Sequence, residues 1–262
     1  MKKLIYAFFI AGLFATSCSS DDDTATGNNK TNYLPLSEGN FWVYATQNAA
    51  NMGRDSLYTT SDTIIGTNTY TKFKTADIPT GFYSGSLNGN AVRIANGKII
   101  VTGSADFSFS EEVPVALNIT DFTFFDANAT TGTELSTVNG TISQPAEDGI
   151  TVNVNYKLTS KAGANVPSIT VNNVAYTNVK TVILTLRLSI TATLDVFPLP
   201  ATIMQDQDVV VSTQYYAENI GAIKIDTDIN YHLEDLSSFI DLPIDQTASQ
   251  HQEETLITYN EE

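Results

Sequence analysis

Between Val182 and Val196 every even-numbered residue is apolar: Val182, Leu184, Leu186, Leu188, Ile190, Ala192, Leu194 and Val196. From position 185 the odd-numbered residues are Thr185, Arg187, Ser189, Thr191, Thr193 and Asp195. A period of two places all the apolar side chains on one face of a strand; a helix would need a period of 3.6. At roughly 3.4 Å per residue the stretch is about 50 Å long. A strand of that length must twist and coil. The chain is therefore expected to be all-β, built as one large, strongly curved antiparallel sheet or an open or half barrel.

The rest of the chain agrees with this class. Ile150, Val152, Val154, Tyr156 and Leu158 alternate without a miss, as do Val113, Val115, Leu117 and Ile119. Pro114 lies among the latter and marks an edge strand, because proline gives the ladder no donor. Asn96-Gly97, between Ala91–Ala95 and Lys98–Thr102, fits a type I′ hairpin, which needs positive φ at both central residues. Asn139-Gly140 and Asn172-Asn173 are read as two more hairpin turns, and Gly39-Asn40 as the turn leading into a strand at Phe41–Thr46. Further strands are expected at Ser56–Thr60, Thr63–Ile65 and Tyr70–Lys74. Phe197–Pro200 is expected to break the long strand, followed by a hairpin of Asp208–Ala217 and Ile220–Asp226. His232–Ile240 is read as one or two helical turns, Gln246–Glu254 as a polar loop and Thr255–Tyr259 as a closing strand. Few or no helices are expected after the leader. Only 16% of residues are charged while Thr, Ser and Asn abound, which suits strands with polar outer faces.

The N-terminus carries an address. Met1-Lys2-Lys3 is a basic start, and Leu4 to Phe14 is apolar for only 11 residues. A bilayer span takes roughly 20, so residues 1–17 are read as a cleaved signal peptide. Ala15-Thr16-Ser17 lead into Cys18, the one cysteine of the chain. This resembles the lipobox of bacterial lipoproteins, which implies acylation of Cys18 and a long-lived lipid anchor; Ala15 stands where leucine is commonest. Ser19, Ser20, Asp21, Asp22 and Asp23 resemble the export signal of surface-exposed lipoproteins of the Bacteroidota. Residues 18–32 are read as the lipidated cysteine and a disordered acidic tether, of which Ser19–Asn32 reach about 46 Å if fully extended and about 20 Å as a coil. Residues 33–262 are read as the β domain.

Two motifs at the ends of that domain carry a second resemblance. Tyr33-Leu-Pro-Leu…Gly39-Asn40-Phe-Trp42-Val-Tyr44 opens it, and Tyr215-Tyr-Ala-Glu-Asn-Ile-Gly221-Ala-Ile-Lys-Ile225 closes it. Both resemble the ends of a group of cell-surface lipoproteins of the Bacteroidota. At fold level the curved sheet is also similar to the half-barrels of LolA/LolB-type lipoprotein carriers. These motifs are structural and transfer no catalytic residue.

Chemistry is sparse. There is no Gly-x-Ser-x-Gly motif, no second cysteine and no phosphate loop. His232 and His251 match no zinc spacing. Asp226, Asp228 and Asn230 alternate on one strand face and form a weak metal candidate, with Tyr231 where a calcium loop has glycine. Three Asp-Ser/Thr-apolar triplets, starting at Asp23, Asp55 and Asp62, resemble O-glycosylation sites known in Bacteroidota. Removing the leader takes away Lys2 and Lys3 and moves the formal charge from −16 to −18. That charge repels nucleic acid and anionic membrane surfaces. The expected function is a non-catalytic binding or scaffolding domain, lipid-anchored to the outer membrane and facing outward. It would need no cofactor, and its partner is an unidentified extracellular or periplasmic ligand. The alternative is a carrier holding a lipid or other apolar ligand against the long one-sided strand. A hydrolase using paired acids ranks last.

Overall fold

A computed structural model describes residues 32–110, 113–145, 150–194, 197–235 and 245–260. Its strands are β1 (Phe41–Asn48), β2 (Met52–Ile65), β3 (Asn68–Thr75), β4 (Ala91–Ala95), β5 (Lys98–Ser110), β6 (Val113–Asp126) and β7 (Glu134–Pro145). They continue with β8 (Ile150–Ala162), β9 (Val166–Val171), β10 (Val174–Leu194), β11 (Phe197–Ala217), β12 (Gly221–His232) and β13 (Thr247–Asn260). One short helix, α1 (Phe82–Leu87), lies between β3 and β4. The strands form one antiparallel sheet in the order β6-β5-β4-β3-β2-β1-β13-β12-β11-β10-β8-β7, with β9 attached to β10 alone. The sheet curls into a nearly closed barrel, in which β6 and β7 come to lie against each other. No ladder joins those two strands among the described residues.

The long alternating stretch is the wall the barrel is built on. Val182, Leu184, Leu186, Leu188, Ile190 and Ala192 are all buried, and the intervening residues from Ile183 to Thr193 are only partly covered. β10 pairs with β8 on one side and β11 on the other. It begins earlier than the periodicity indicates, at Val174, and first pairs with β9. The long strand does end just before Phe197–Pro200, at Leu194, and those residues open β11, where Phe197 pairs with Leu194. The predicted edge strand holding Pro114 is β6, at one end of the hydrogen-bonded order. Asn96 and Gly97 have φ of 52° and 78°, and Asn172 and Asn173 have 48° and 66°, as type I′ turns require.

Three expectations are corrected. Asn139-Gly140 is not a turn: β7 runs straight through it, pairing Asn139 with Lys157 and Gly140 with Tyr156. Glycine leaves room there for the Tyr156 ring, since a Cβ on Gly140 would come within 3.0 Å of its hydroxyl oxygen. Gln246–Glu254 is not a loop: β13 starts at Thr247, held between β1 and β12. Of the helical turn expected at His232–Ile240, His232 is the last residue of β12 and residues 233–235 are irregular; residues 236–244 lie outside the described residues.

Strand direction defines two mouths. β1 runs from Phe41 at the near mouth to Asn48 at the far mouth, and β13 returns from Thr247 to Asn260. The near mouth gathers the 66–67, 96–97 and 218–220 turns. Asn32 is fixed there, accepting from the Asn219 N–H. Leu34 and Trp42 close over Gly221, where a Cβ would sit 3.1 Å from Trp42 Nε1 and 3.3 Å from Leu34 Cδ1. The β9–β10 hairpin reaches β13 at this end, with Asn172 donating to the Leu256 oxygen at 2.8 Å. The far mouth holds the β1–β2 turn and the loop leading into α1. Tyr83 of α1 is buried with ring centroids 5.7 Å from Tyr44 and 6.4 Å from Tyr216. A continuous apolar cluster fills the space from Leu34 to Leu256.

Candidate functional site

The inner wall carries two buried acids. Glu254 lies opposite Thr46 on β1, and Asp55 lies opposite Tyr44, so both point inward. They converge on the entry to α1. The backbone N–H of Tyr83 donates to Glu254 Oε1 at 2.6 Å, and the Ser84 hydroxyl lies 3.1 Å from Oε2. Asp55 accepts from the backbone N–H of Thr80 at 2.9 Å and of Gly81 at 2.7 Å. Between them, Gln252 accepts from Phe82 N–H and donates to the Thr80 oxygen, both at 2.8 Å. A Cβ on Gly81 would come within 3.0 Å of both Glu254 Oε2 and Asp55 Oδ2, so the backbone is wedged between the acids.

Burial pushes the Glu254 carboxyl up to about 7, and the neighbouring charge of Asp55 adds to the effect against the donors from Tyr83 and Ser84. Tyr44, Tyr83 and Tyr216 are raised well above the usual phenol range, again chiefly by burial. With every oxygen turned to a backbone or hydroxyl donor, the pair fastens the loop and helix rather than facing a substrate. This cluster is absent from the sequence reading. The available signal was the even-position pairing of Glu254 with Leu256, which marks one strand face.

The outer face has a different chemistry. Asp226 and Asp228 do share that face, as the alternation predicts, but each meets a basic side chain. Lys224 bridges Asp226 at 3.2 Å and Glu253 at 2.8 Å. His251 Nδ1 lies 2.8 Å from Asp228 Oδ1. Asn230 is exposed further along the strand. Among the described residues no three His, Cys, Asp or Glu side chains are grouped to hold a metal ion. His232 is also exposed, its backbone joined to the Gln207 side chain at 3.0 and 2.8 Å. On the opposite wall Tyr70 donates to Asp121, and the Arg93 guanidinium donates to both at 3.0 and 3.2 Å. In the Asp-Ser-Leu triplet Asp55 and Leu57 are buried, while Ser56 is partly covered. Cys18, Ser19, Ser20, Asp21, Asp22 and Asp23 lie outside the described residues.

Next to His251, at the far mouth, runs an open groove of about 680 Å³. The end of β1 and the β1–β2 turn (residues 47–51) form one side and Ser249, Gln250, His251 and Glu253 of β13 the other. Its groups are held in place from behind. Asp228 orients the imidazole, Lys224 holds Glu253, and Asn48 Oδ1 accepts from Ala50 N–H at 3.0 Å and Asn51 N–H at 2.7 Å.

The chain matches no protein-family description and no curated protein sequence. Among solved structures it is similar to a candidate lipoprotein from Parabacteroides distasonis. That match has 13% identity and a TM-score of 0.40, covering 88% of this chain and 99% of the other.

Proposed function

We propose that the chain is a lipid-anchored lipoprotein of the outer membrane whose non-catalytic barrel displays the far-mouth groove to the cell exterior. One observation carries the reading: Asn32, through which the chain leads back to Cys18, is bound at one mouth, and the groove opens at the other. An anchor at Cys18 then tethers the barrel by the mouth opposite the groove. The groove is lined by carboxamides, a hydroxyl, an oriented imidazole and Glu253, with no Lys or Arg in the lining. That donor and acceptor set suits a neutral, hydrogen-bonding ligand and disfavours phosphates and sulfates.

The carrier alternative rested on the apolar face of β10. Leu184 to Ala192 on that face are packed into the protein's own core cluster. A ligand cavity of a few hundred Å³ lined by these residues would leave them accessible, and they are at most 3% exposed.

Display is tested by adding protease to intact cells that express the full chain. Loss of the barrel before lysis supports the reading, and survival until the membranes are opened overturns it. Anchoring is tested by Cys18→Ser, which should abolish palmitate labelling and leave uncleaved precursor or soluble protein. Normal labelling of that variant overturns the anchor.

A further inference from the structure

We propose that the near mouth docks onto the lipid bilayer that carries the anchor, through a ring of exposed apolar side chains: Ile64, Ile94, Val174, Ile257 and Tyr259. The inference rests on the lipoprotein reading and adds to it an orientation and a contact surface.

Among the described residues seven large hydrophobic side chains are exposed, and five of them stand at this mouth. Ile64 is 76% exposed, Val174 51% and Ile257 48%. Their placement follows from the ladders. Ile64 pairs with Thr69 just before the 66–67 turn. Ile94 pairs with Ile99 across the Asn96-Gly97 turn. Val174 is the first residue of β10, beside the Asn172-Asn173 turn whose side chain bonds to β13. Tyr259 pairs with Trp42 at the start of β1, and Ile257 falls at the bulge between Val43 and Tyr44. The five therefore border one opening, on four neighbouring parts of the rim. Isolated exposed hydrophobics need no explanation, but a set gathered on one end marks an interaction surface.

The occupant follows from the proposed anchor at Cys18. Cys18 stands 14 positions before Asn32, a reach of at most about 50 Å. Such a link keeps the near mouth close to the bilayer but does not set its height. Because the anchor holds the surface at a high effective concentration, weak apolar contacts suffice to lower the barrel. Val, Ile and Tyr side chains suit the boundary between head groups and acyl chains. The strongly acidic chain gains nothing from an anionic surface, so apolar insertion must supply the contact. A bilayer of zwitterionic head groups is the fitting partner.

The test uses the full lipidated chain in phosphatidylethanolamine-rich vesicles. Cys18 is consumed by the anchor, so single cysteines can be placed at exposed sites without competition: Ile64→Cys, Val174→Cys and Ile257→Cys at the near mouth, Met52→Cys and Ile78→Cys at the far mouth. Each carries a nitrobenzoxadiazole label, and nitroxide-bearing lipids serve as quencher. Docking predicts blue-shifted emission and at least twofold stronger quenching at the three near sites than at the two far sites. Equal quenching at both mouths, or none at the near sites while Cys18 takes up labelled palmitate, overturns the docking and leaves the anchor standing. No palmitate on Cys18 overturns the anchor and the docking together.

Discussion

Trp42 donates its indole N–H to the backbone oxygen of Ile220, 178 residues further along the chain. Tyr44 repeats the pattern one step inward, its hydroxyl donating to the Ala222 oxygen at 2.8 Å. The opening and closing motifs of the β domain therefore meet across β13. Trp42→Phe keeps much of the stacking on Phe73, whose ring centroid is 5.8 Å away, but removes the donor from a partly buried carbonyl. The expected loss is about 1–3 kcal/mol, seen as a lower urea midpoint with an unchanged m-value. A midpoint equal to that of the wild type would show that this bond does not hold the two motifs.

Two glycines only four residues apart should respond oppositely. Gly81→Ala forces a Cβ against Glu254 and Asp55 and should cost about 1–3 kcal/mol. Gly85 lies inside α1, and a Cβ there meets only Pro79 Cγ, at an ordinary 3.9 Å. Gly85→Ala should be neutral or stabilising by about 0.5–1 kcal/mol, because it lowers the entropy of the unfolded chain. Thermal melts of both variants check the contrast, and equal effects would contradict the wedge at Gly81.

Glu254 sets a pH dependence with a definite sign. Its folded-state value, about 7, lies above the ordinary 4.5, so the folded protein keeps this proton longer than the unfolded chain does. The stabilisation is complete below pH 4.5, declines as the unfolded chain ionises, and is gone once pH passes through about 7. The span is on the order of 3 kcal/mol at most. Glu254→Gln cannot ionise and should lose this dependence. The measurement is the difference in urea midpoint between wild type and variant at pH 5 and at pH 8. A difference that does not change with pH would remove Glu254 as its source.

Calcium should leave the barrel unchanged. Asp226 is held by Lys224 and Asp228 by His251, so a cation would have to displace both partners. The expected outcome is the same melting temperature with about 5 mM calcium as with a chelator. An increase in melting temperature that is lost in Asp228→Asn would restore the metal reading. The contact between Asp228 and His251 is exposed on both sides, and Asp228→Asn should cost less than about 1 kcal/mol.

The wall of the barrel was legible because its information is local. The period of β10 and the positive φ at Asn96-Gly97 and Asn172-Asn173 are written in adjacent residues. Asn139-Gly140 shows the limit of that rule: the same dipeptide serves as a packing space for Tyr156, a neighbour that only the register of β7 on β8 supplies. The helix was not legible at all. Phe82–Leu87 contains Ser84, Gly85 and Ser86, poor helix formers, and its N-terminal donors are satisfied by Gln252 and Glu254, some 170 residues away. For the same reason Glu254 was lost in a stretch read as loop. β13 is polar because its outer face is wet and its inner face caps α1, and neither fact is encoded near it in the chain.

The pairing of β1 with β13 has a consequence for how the protein is made. Most other ladders join strands that follow one another, so they can form as the chain appears. β1 cannot: one of its edges stays bare until β13 has been delivered, and α1 lacks Gln252 and Glu254 until the same moment. The final strand is thus the clasp of the barrel. A polypeptide emerging from a ribosome or threading through an export pore remains unlatched, and so still able to pass, until β13 has been released. A stop codon before Thr247 should leave an exposed β1 edge prone to pairing with other chains, and such a product is expected to be cleared by proteolysis rather than to accumulate as a shorter barrel.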